Sequence, residues 1–264
     1  MNESITKLIT ERLSALERER GFRILYACES GSRAWGFAST DSDYDVRFLF
    51  VWPWQRYLGI LDPPDTVELG IDENDLDISG WDLRKALRLF RKSNGSLLEW
   101  LFSPVVYREE ATVMDSWRDL TPKFFLPKNS AAHYLGLSRQ IWKQMNAKET
   151  SEVTAKQYLY VLRSLLACRF VVENQQPPPV HFGLLMAAIE LSYAVADAIA
   201  EMVAAKSFER ESDQIERYSL LDWFITQEQG RLDLLIGELP SDQGDVDRLS
   251  GFFHETLKLP KSSA

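Results

Sequence analysis

Apolar residues along the first twenty positions recur at helical spacing. Ile5, Leu8, Ile9, Leu13 and Leu16 form one stripe, Glu and Arg fill the other face, and Gly21 ends the run, which predicts a helix over 3–19. The period then changes. RILYACES (23–30) is rich in strand formers and runs into a Gly-Ser pair, as a buried strand opening into a turn would. A second strand is expected over 43–51, strongly apolar toward its end, with Pro53, Pro63 and Pro64 punctuating the connection after it. NDLDISGW (74–81) alternates, Asp75 and Asp77 on one side and Leu76 and Ile78 on the other, as a third, short strand does. The next helix spans 82–92, with Leu83, Ala86, Leu87 and Phe90 turned inward and Arg84, Lys85, Arg88 and Arg91 forming a basic flank. Asn94-Gly95 stops it, 97–101 forms a further turn, and 104–107 closes the region.

Beyond Trp117 the pattern is helical. TPKFFLPKNS (121–130), with two prolines, is the expected boundary, and helices are predicted over 131–147, 154–173, 182–206, 209–236 and 245–257. The fold class is therefore α+β: a small sheet domain over 1–120 followed by an all-α domain over 121–264.

Composition narrows the options. Of 264 residues 45% are hydrophobic and 26% charged, and charge interrupts every apolar run before it reaches a bilayer-spanning length, so no membrane span is expected. The amphipathic, mixed-charge N-terminus lacks the cationic start and apolar block of a secretory signal, and a cytoplasmic location is expected. Cys28 and Cys168 are too few and too far apart for a disulfide framework; His133, His181 and His254 are scattered without ligand spacing. A net charge of -9 argues against sequence-blind nucleic-acid binding over the whole surface, though a local basic groove is compatible with it.

The chemistry concentrates in GSRAWGFASTDSDYDVRFLF (31–50), which carries Asp41, Asp43 and Asp45 directly ahead of an apolar strand. Burying a carboxylate at a strand end is costly without a compensating cation. Residues two apart on a strand share a face, so Asp43 and Asp45 project together. With Asp77 from the neighbouring strand, three carboxylates would meet in one volume and repel one another unless a divalent cation sits among them. Oxygen ligands select Mg²⁺ or Mn²⁺, and such a site can hold two ions about 4 Å apart. Gly31 permits close backbone approach to a phosphate, the Ser32 hydroxyl and helix-start amides make a compact anion site, and Arg33 adds a charge there. Alternatively the Gly-Ser pair is only a strand-to-helix turn and the aspartates solvate a loop.

Farther along, Lys85 leads the cations that could reach a phosphate from the helix after the third strand. Lys156, Tyr160 and Arg163 lie on one helical face, able to present a cation, a ring and a second cation to a base and its phosphates, or simply to cover the apolar residues between them. Trp35, Trp81 and Trp100 are expected to be core or interface residues.

The order Gly31-Ser32, then Asp43-Tyr-Asp45, resembles the signature of the DNA polymerase β-like nucleotidyltransferase superfamily. Residues 76–107 (LDISGWDLRKALRLFRKSNGSLLEWLFSPVVY), the run YLYVLRSLLACRF and the later triple proline at 177–179 are similar to a bacterial branch of predicted nucleotidyltransferases linked by gene context to RNA repair. The resemblance implies a small mixed-sheet palm completed by a helical domain. It implies that Gly31 and Ser32 hold the triphosphate of a nucleotide, that Asp43 and Asp45 bind two Mg²⁺ (or Mn²⁺) ions, and that Asp77 is the third carboxylate, with Asp75 as competitor. The implied reaction moves a nucleoside monophosphate from a nucleoside triphosphate to an acceptor hydroxyl, an RNA or tRNA 3′ end, with release of pyrophosphate. A protein or small-molecule acceptor, or a non-catalytic nucleotide sensor, are the alternatives. Base preference, use of a template and oligomeric state stay open.

Overall fold

The structure is a computed structural model that describes residues 3–39, 41–147, 153–208, 213–242 and 244–258. In the first half the elements are α1 (Glu3–Arg20), β1 (Arg23–Glu29), α2 (Gly31–Trp35), β2 (Tyr44–Val51), α3 (Trp54–Tyr57), β3 (Thr66–Ile71), β4 (Leu76–Asp82), α4 (Leu83–Phe90), α5 (Gly95–Leu101), β5 (Val106–Glu109), α6 (Ala111–Arg118) and α7 (Thr121–Phe124). The second half contributes α8 (Pro127–Asn146), β6 (Val153–Thr154), α9 (Ala155–Asn174), α10 (Phe182–Ala187), α11 (Tyr193–Phe208), β7 (Gln214–Ile215), α12 (Ser219–Ile236) and α13 (Val246–Thr256).

One five-stranded sheet, in the order β3-β4-β2-β1-β5, carries the first half. β2 and β4 run parallel while the other neighbours are antiparallel, so the sheet is mixed and the fold is α+β. The chain leaves β2 through α3, forms the edge strand β3 and turns back into β4 beside β2. The strand period then sorts side chains by parity. Val46, Phe48 and Phe50 of β2 pack with Ile24 and Ile78 under Ile9, Leu13 and Leu16 of α1. Leu49 and Val51 pack on the opposite face with Leu83, Phe90 and Trp117. Asp45 and Arg47 share that second face, at the end the apolar cluster does not cover. α4 is capped by Asp82, which accepts the Arg84 N–H at 2.9 Å, and α5 by Asn94, which accepts the Leu97 N–H at 3.0 Å.

In the second half α9 is the axis. It buries residues nearly all round, Tyr158, Leu162, Leu165 and Leu166 among them, because α8, α10, α11 and α12 surround it. Thr154 and Gln157 close its N-terminus with a capping box. α13 returns to the first half, where Leu249 and Phe252 join the cluster of Leu83, Phe90 and Trp117.

Departures from expectation are local. β3 and β5 are additional strands: β3 is an edge strand with Leu69 and Ile71 exposed, so it lacks the inside-outside alternation of a half-buried strand, and β5 has only four residues. The second strand starts at Tyr44, leaving Asp43 just ahead of it. The 121–130 segment is mostly helical, because Pro127 takes the first turn of α8, where a missing N–H costs nothing. The helix expected over 182–206 divides into α10 and α11, and the one expected over 209–236 begins at Ser219, with 209–212 outside the described residues. Both cysteines are free and buried. Among the described residues no helix is long and apolar enough to cross a membrane.

Candidate active site

The parallel pairing of β2 with β4 sets Asp45 directly against Asp77. Between their carboxylates stands a guanidinium: Arg47 Nη2 donates to Asp45 Oδ1 and to Asp77 Oδ2, each at 2.7 Å, while Nη1 donates to the Asp77 carbonyl at 2.8 Å. Asp45 is partly buried, and this desolvation, with the charges of Asp77 and Asp43, raises its pKa against the pull of Arg47 and Lys156. Gly31 lies against the other Asp45 oxygen. It holds φ +59°, and a Cβ there would sit 2.1 Å from Asp45 Oδ2, so both backbone and space require glycine.

Glu29 lies beneath this pair. Its side chain, 1% exposed, accepts the Asp45 N–H at 2.7 Å and the Tyr107 hydroxyl, and its carbonyl accepts the Ser103 hydroxyl at 2.7 Å. Burial pushes the Glu29 carboxyl up to about 7, against the lowering effect of those donors. Asp45 is thus held at its backbone by Glu29 and at its side chain by Arg47.

Asp45, Arg47 and Gly31 line a cleft of about 490 Å³ that reaches from the sheet to α5, α8 and α9. Trp81 and Trp100 stack in its wall with ring centroids 3.9 Å apart, and Trp35 meets Tyr160 edge-on at 4.9 Å. Glu99 ties the wall together, accepting from Trp35 Nε1 at 3.0 Å, Tyr134 Oη at 3.1 Å and Arg163 Nη1 at 2.8 Å. His133 also lines the cleft, its pKa lowered first by desolvation. A larger cavity, about 860 Å³, lies between Phe102, Phe125 and the 177–179 prolines. No carboxylate lines it, so the smaller cleft is the one equipped for chemistry.

The predicted residues fall into three groups. Gly31, Asp45, Tyr160 and Arg163 line the cleft, and Asp77 is bound to its floor through Arg47. Arg163 is 2% exposed, paired with Glu99 and set 4.3 Å over the Trp35 ring, so it braces the wall. Lys156 lies 5.7 Å over the Tyr160 ring, and its charge reaches Asp45. Near the cleft, Ser32 is buried in α2, and Arg33 holds the aspartate loop, donating to the carbonyls of Ser42 at 2.6 Å and Asp43 at 3.0 Å. Asp43 is exposed ahead of β2, close enough to repel Asp45 but outside the pair that Arg47 joins. Lys85 does not line the cleft itself; it is bonded to Asp65 at 3.2 Å and to Thr66, with its Nζ 5.8 Å from the Trp81 ring of the cleft wall. Asp75 sits in the bend before β4 with φ +56°, so Asp77 is the residue opposite Asp45.

Sequence reasoning missed Arg47, Glu29 and the Trp81–Trp100 wall. Arg47 had a signal: it continues by two the period that joins Asp43 to Asp45. Three carboxyl, thiol or imidazole groups close enough to form a ready cation cage are absent among the described residues. The fit to a hard dication rests instead on Asp45 and Asp77, whose oxygens already converge on one cationic nitrogen.

The mixed sheet thus sets an aspartate pair beside a Gly-Ser turn, under a helical wall. The chain belongs to the RNA repair pathway DNA polymerase beta family, whose model matches residues 5–255. It is 39% identical over 238 residues to the uncharacterized protein YcgL of Bacillus subtilis (strain 168), covering 90% of each chain. It also matches the crystal structure of a nucleotidyltransferase-like protein from Exiguobacterium sibiricum 255-15, at 9% identity over 96% of this chain and 81% of that one. The TM-score is 0.30, a likeness too slight to argue from.

Proposed function

We propose that the protein transfers a nucleoside monophosphate from a nucleoside triphosphate to the 3′ hydroxyl of an RNA, in the cytoplasm. The acceptor oxygen attacks the α-phosphorus in line, the bond from that phosphorus to the β-phosphate bridge oxygen breaks, and pyrophosphate leaves. Asp45 and Asp77, with Asp43 just ahead of β2, would hold Mg²⁺ or Mn²⁺. Bound there, the ions would activate the acceptor oxygen and neutralise charge on the phosphates.

The chain's own groups supply the rest. The Asp77 carboxylate receives the acceptor's proton. Glu29 fixes the backbone of Asp45, and Arg47 keeps the two carboxylates aimed at one point before substrate arrives. Gly31 lets the turn lie directly against Asp45, and its neighbours Ser32 and Arg33 would face the phosphates from the same turn. The stacked Trp81 and Trp100 offer an aromatic surface to a base, while Tyr160 and Lys156 form the α9 side of the same cleft.

The observation that carries this proposal is the convergence of Asp45 and Asp77 on a single nitrogen at the floor of the 490 Å³ cleft. The test is incubation with α-labelled nucleoside triphosphates and Mg²⁺ in the presence of tRNA, fragmented RNA or whole-cell protein. Label is expected on RNA and absent with Asp45→Asn. Label on protein would replace RNA by a protein acceptor, and nucleotide binding without transfer to any pool would favour a sensor.

A further inference from the structure

On the chain as a whole acidic residues outnumber basic ones by nine, yet residues 83–98 contain no Asp or Glu and five cations: Arg84, Lys85, Arg88, Arg91 and Lys92. Arg84, Leu87, Arg88 and Arg91 follow the i, i+3, i+4, i+7 spacing of one helical face, and Val246, Leu249, Ser250 and Phe253 of α13 follow the same spacing on the facing helix. Between the two stripes runs a groove of about 350 Å³ with Leu87, Leu249 and Phe253 in its lining and no carboxylate. The acids of α13, Asp247 and Glu255, fall off that stripe. A second groove of about 360 Å³ adjoins it, sharing Arg84 and Phe253 and adding Trp54, Tyr57 and His254.

Arg84 is paired with Asp62 at 2.6 Å and Lys85 with Asp65, but Arg88 and Arg91 are exposed and make no ion pair among the described residues. Exposed guanidiniums along one wall suit phosphates, which they bind in fork geometry, and rings on the floor suit bases. A basic groove interleaved with aromatic side chains is how proteins hold single-stranded nucleic acid.

We infer that the α4–α13 groove is a track for the phosphate backbone of single-stranded RNA, upstream of the end held in the cleft. The identity of the strand as the acceptor rests on the proposed function; the groove itself does not. α4 begins where β4 ends, and Asp82 stands five positions after Asp77, so roughly 17 Å of strand lies between the carboxylates and the start of the track. At about 3.4 Å per stacked nucleotide, a strand reaches the track only beyond its fifth nucleotide.

The experiment measures binding of labelled single-stranded RNA 12-mers and 3-mers by fluorescence anisotropy over a salt series, with wild type and Arg88→Glu/Arg91→Glu. Both positions are on the surface, and circular dichroism checks that the variant is folded. The 12-mer is expected to bind the variant at least tenfold more weakly, with the slope of log affinity against log salt reduced by about 1.4 for two lost phosphate contacts. The 3-mer and nucleoside triphosphates are expected to bind both proteins alike. Equal 12-mer binding by wild type and variant, no 12-mer binding by wild type, or equal competition by an acidic peptide of matched charge would overturn the inference. RNA binding that depends on Arg88 and Arg91, in a protein that transfers no nucleotide, would support the track while sinking the transferase proposal.

Discussion

Asp45 and Asp77 face each other across the parallel β2–β4 pair and share one nitrogen of Arg47 at 2.7 Å each. Removing either charge should leave the fold standing, because each carboxylate is also repelled by the other. Asp45→Asn and Asp77→Asn are expected to lower nucleotide transfer by at least ~100-fold, about 3 kcal/mol of barrier, with thermal midpoints near wild type. Pyrophosphate release and a melting curve on the same samples check this. Wild-type turnover in either variant would remove that residue from the chemistry.

Arg47→Gln should do the opposite to stability. It leaves two carboxylates aimed at one point with no cation between them, a loss of about 1–3 kcal/mol for partly buried charged hydrogen bonds. Mg²⁺ should raise the unfolding midpoint of this variant more than that of wild type, since the ion can take the place the guanidinium vacates. Equal Mg²⁺ responses would mean that the ion does not use that place.

Gly31→Ala tests the closeness of the turn to Asp45. The left-handed backbone and a methyl 2.1 Å from Asp45 Oδ2 should together cost about 1–3 kcal/mol and displace the carboxylate. Transfer should fall while circular dichroism stays native. Unchanged activity would show that Asp45 does not need its present position.

Glu29 should make stability depend on pH. Its folded pKa of about 7 lies above the 4.5 of an unperturbed glutamate, so the folded chain keeps a proton that the unfolded chain releases. Its contribution is therefore full below about pH 4.5 and is lost as pH rises to about 7, by up to ~1.4 kcal/mol per unit. Glu29→Gln should remove that slope in urea unfolding measured across the interval. A parallel slope in the variant would assign it to other groups.

Glu99→Ala should weaken the cleft wall from α2 to α9 by stripping Trp35, Tyr134 and Arg163 of a common acceptor and leaving Arg163 buried without its ion pair. A loss of about 3 kcal/mol is expected, with nucleotide affinity lowered as well. Glu99→Gln, which keeps an acceptor oxygen, should lose less in both assays.

Period and punctuation along the chain carried the central strands and most helices, because β1, β2 and β4 are buried on at least one face and α8 and α9 have long stripes. β3 and β5 escaped for the same physical reason in reverse: edge strands need neither alternation nor length. Asp45 and Asp77 were legible as same-face acids on neighbouring strands, and the register that opposes them is what chain folding added. Arg47 and Glu29 show the limit. A basic residue after an acidic pair, or a Glu ending an apolar strand, acquires its meaning only from what the parallel partner and β5 bring beside it. Lys85, in the first turn of α4, is held by Asp65 and Thr66 beside Trp81, a placement set by the edge strand that the sequence did not reveal.

The return of α13 bears on how the molecule can be cut. Leu249 and Phe252, from the last fifth of the chain, sit among Leu83, Phe90 and Trp117 of the first half, so a fragment ending near residue 120 would display that oily surface to water. Dissection into two expressible pieces at the sheet-to-helix junction should yield an aggregating N-terminal piece, and adding the 245–258 peptide in trans should rescue it.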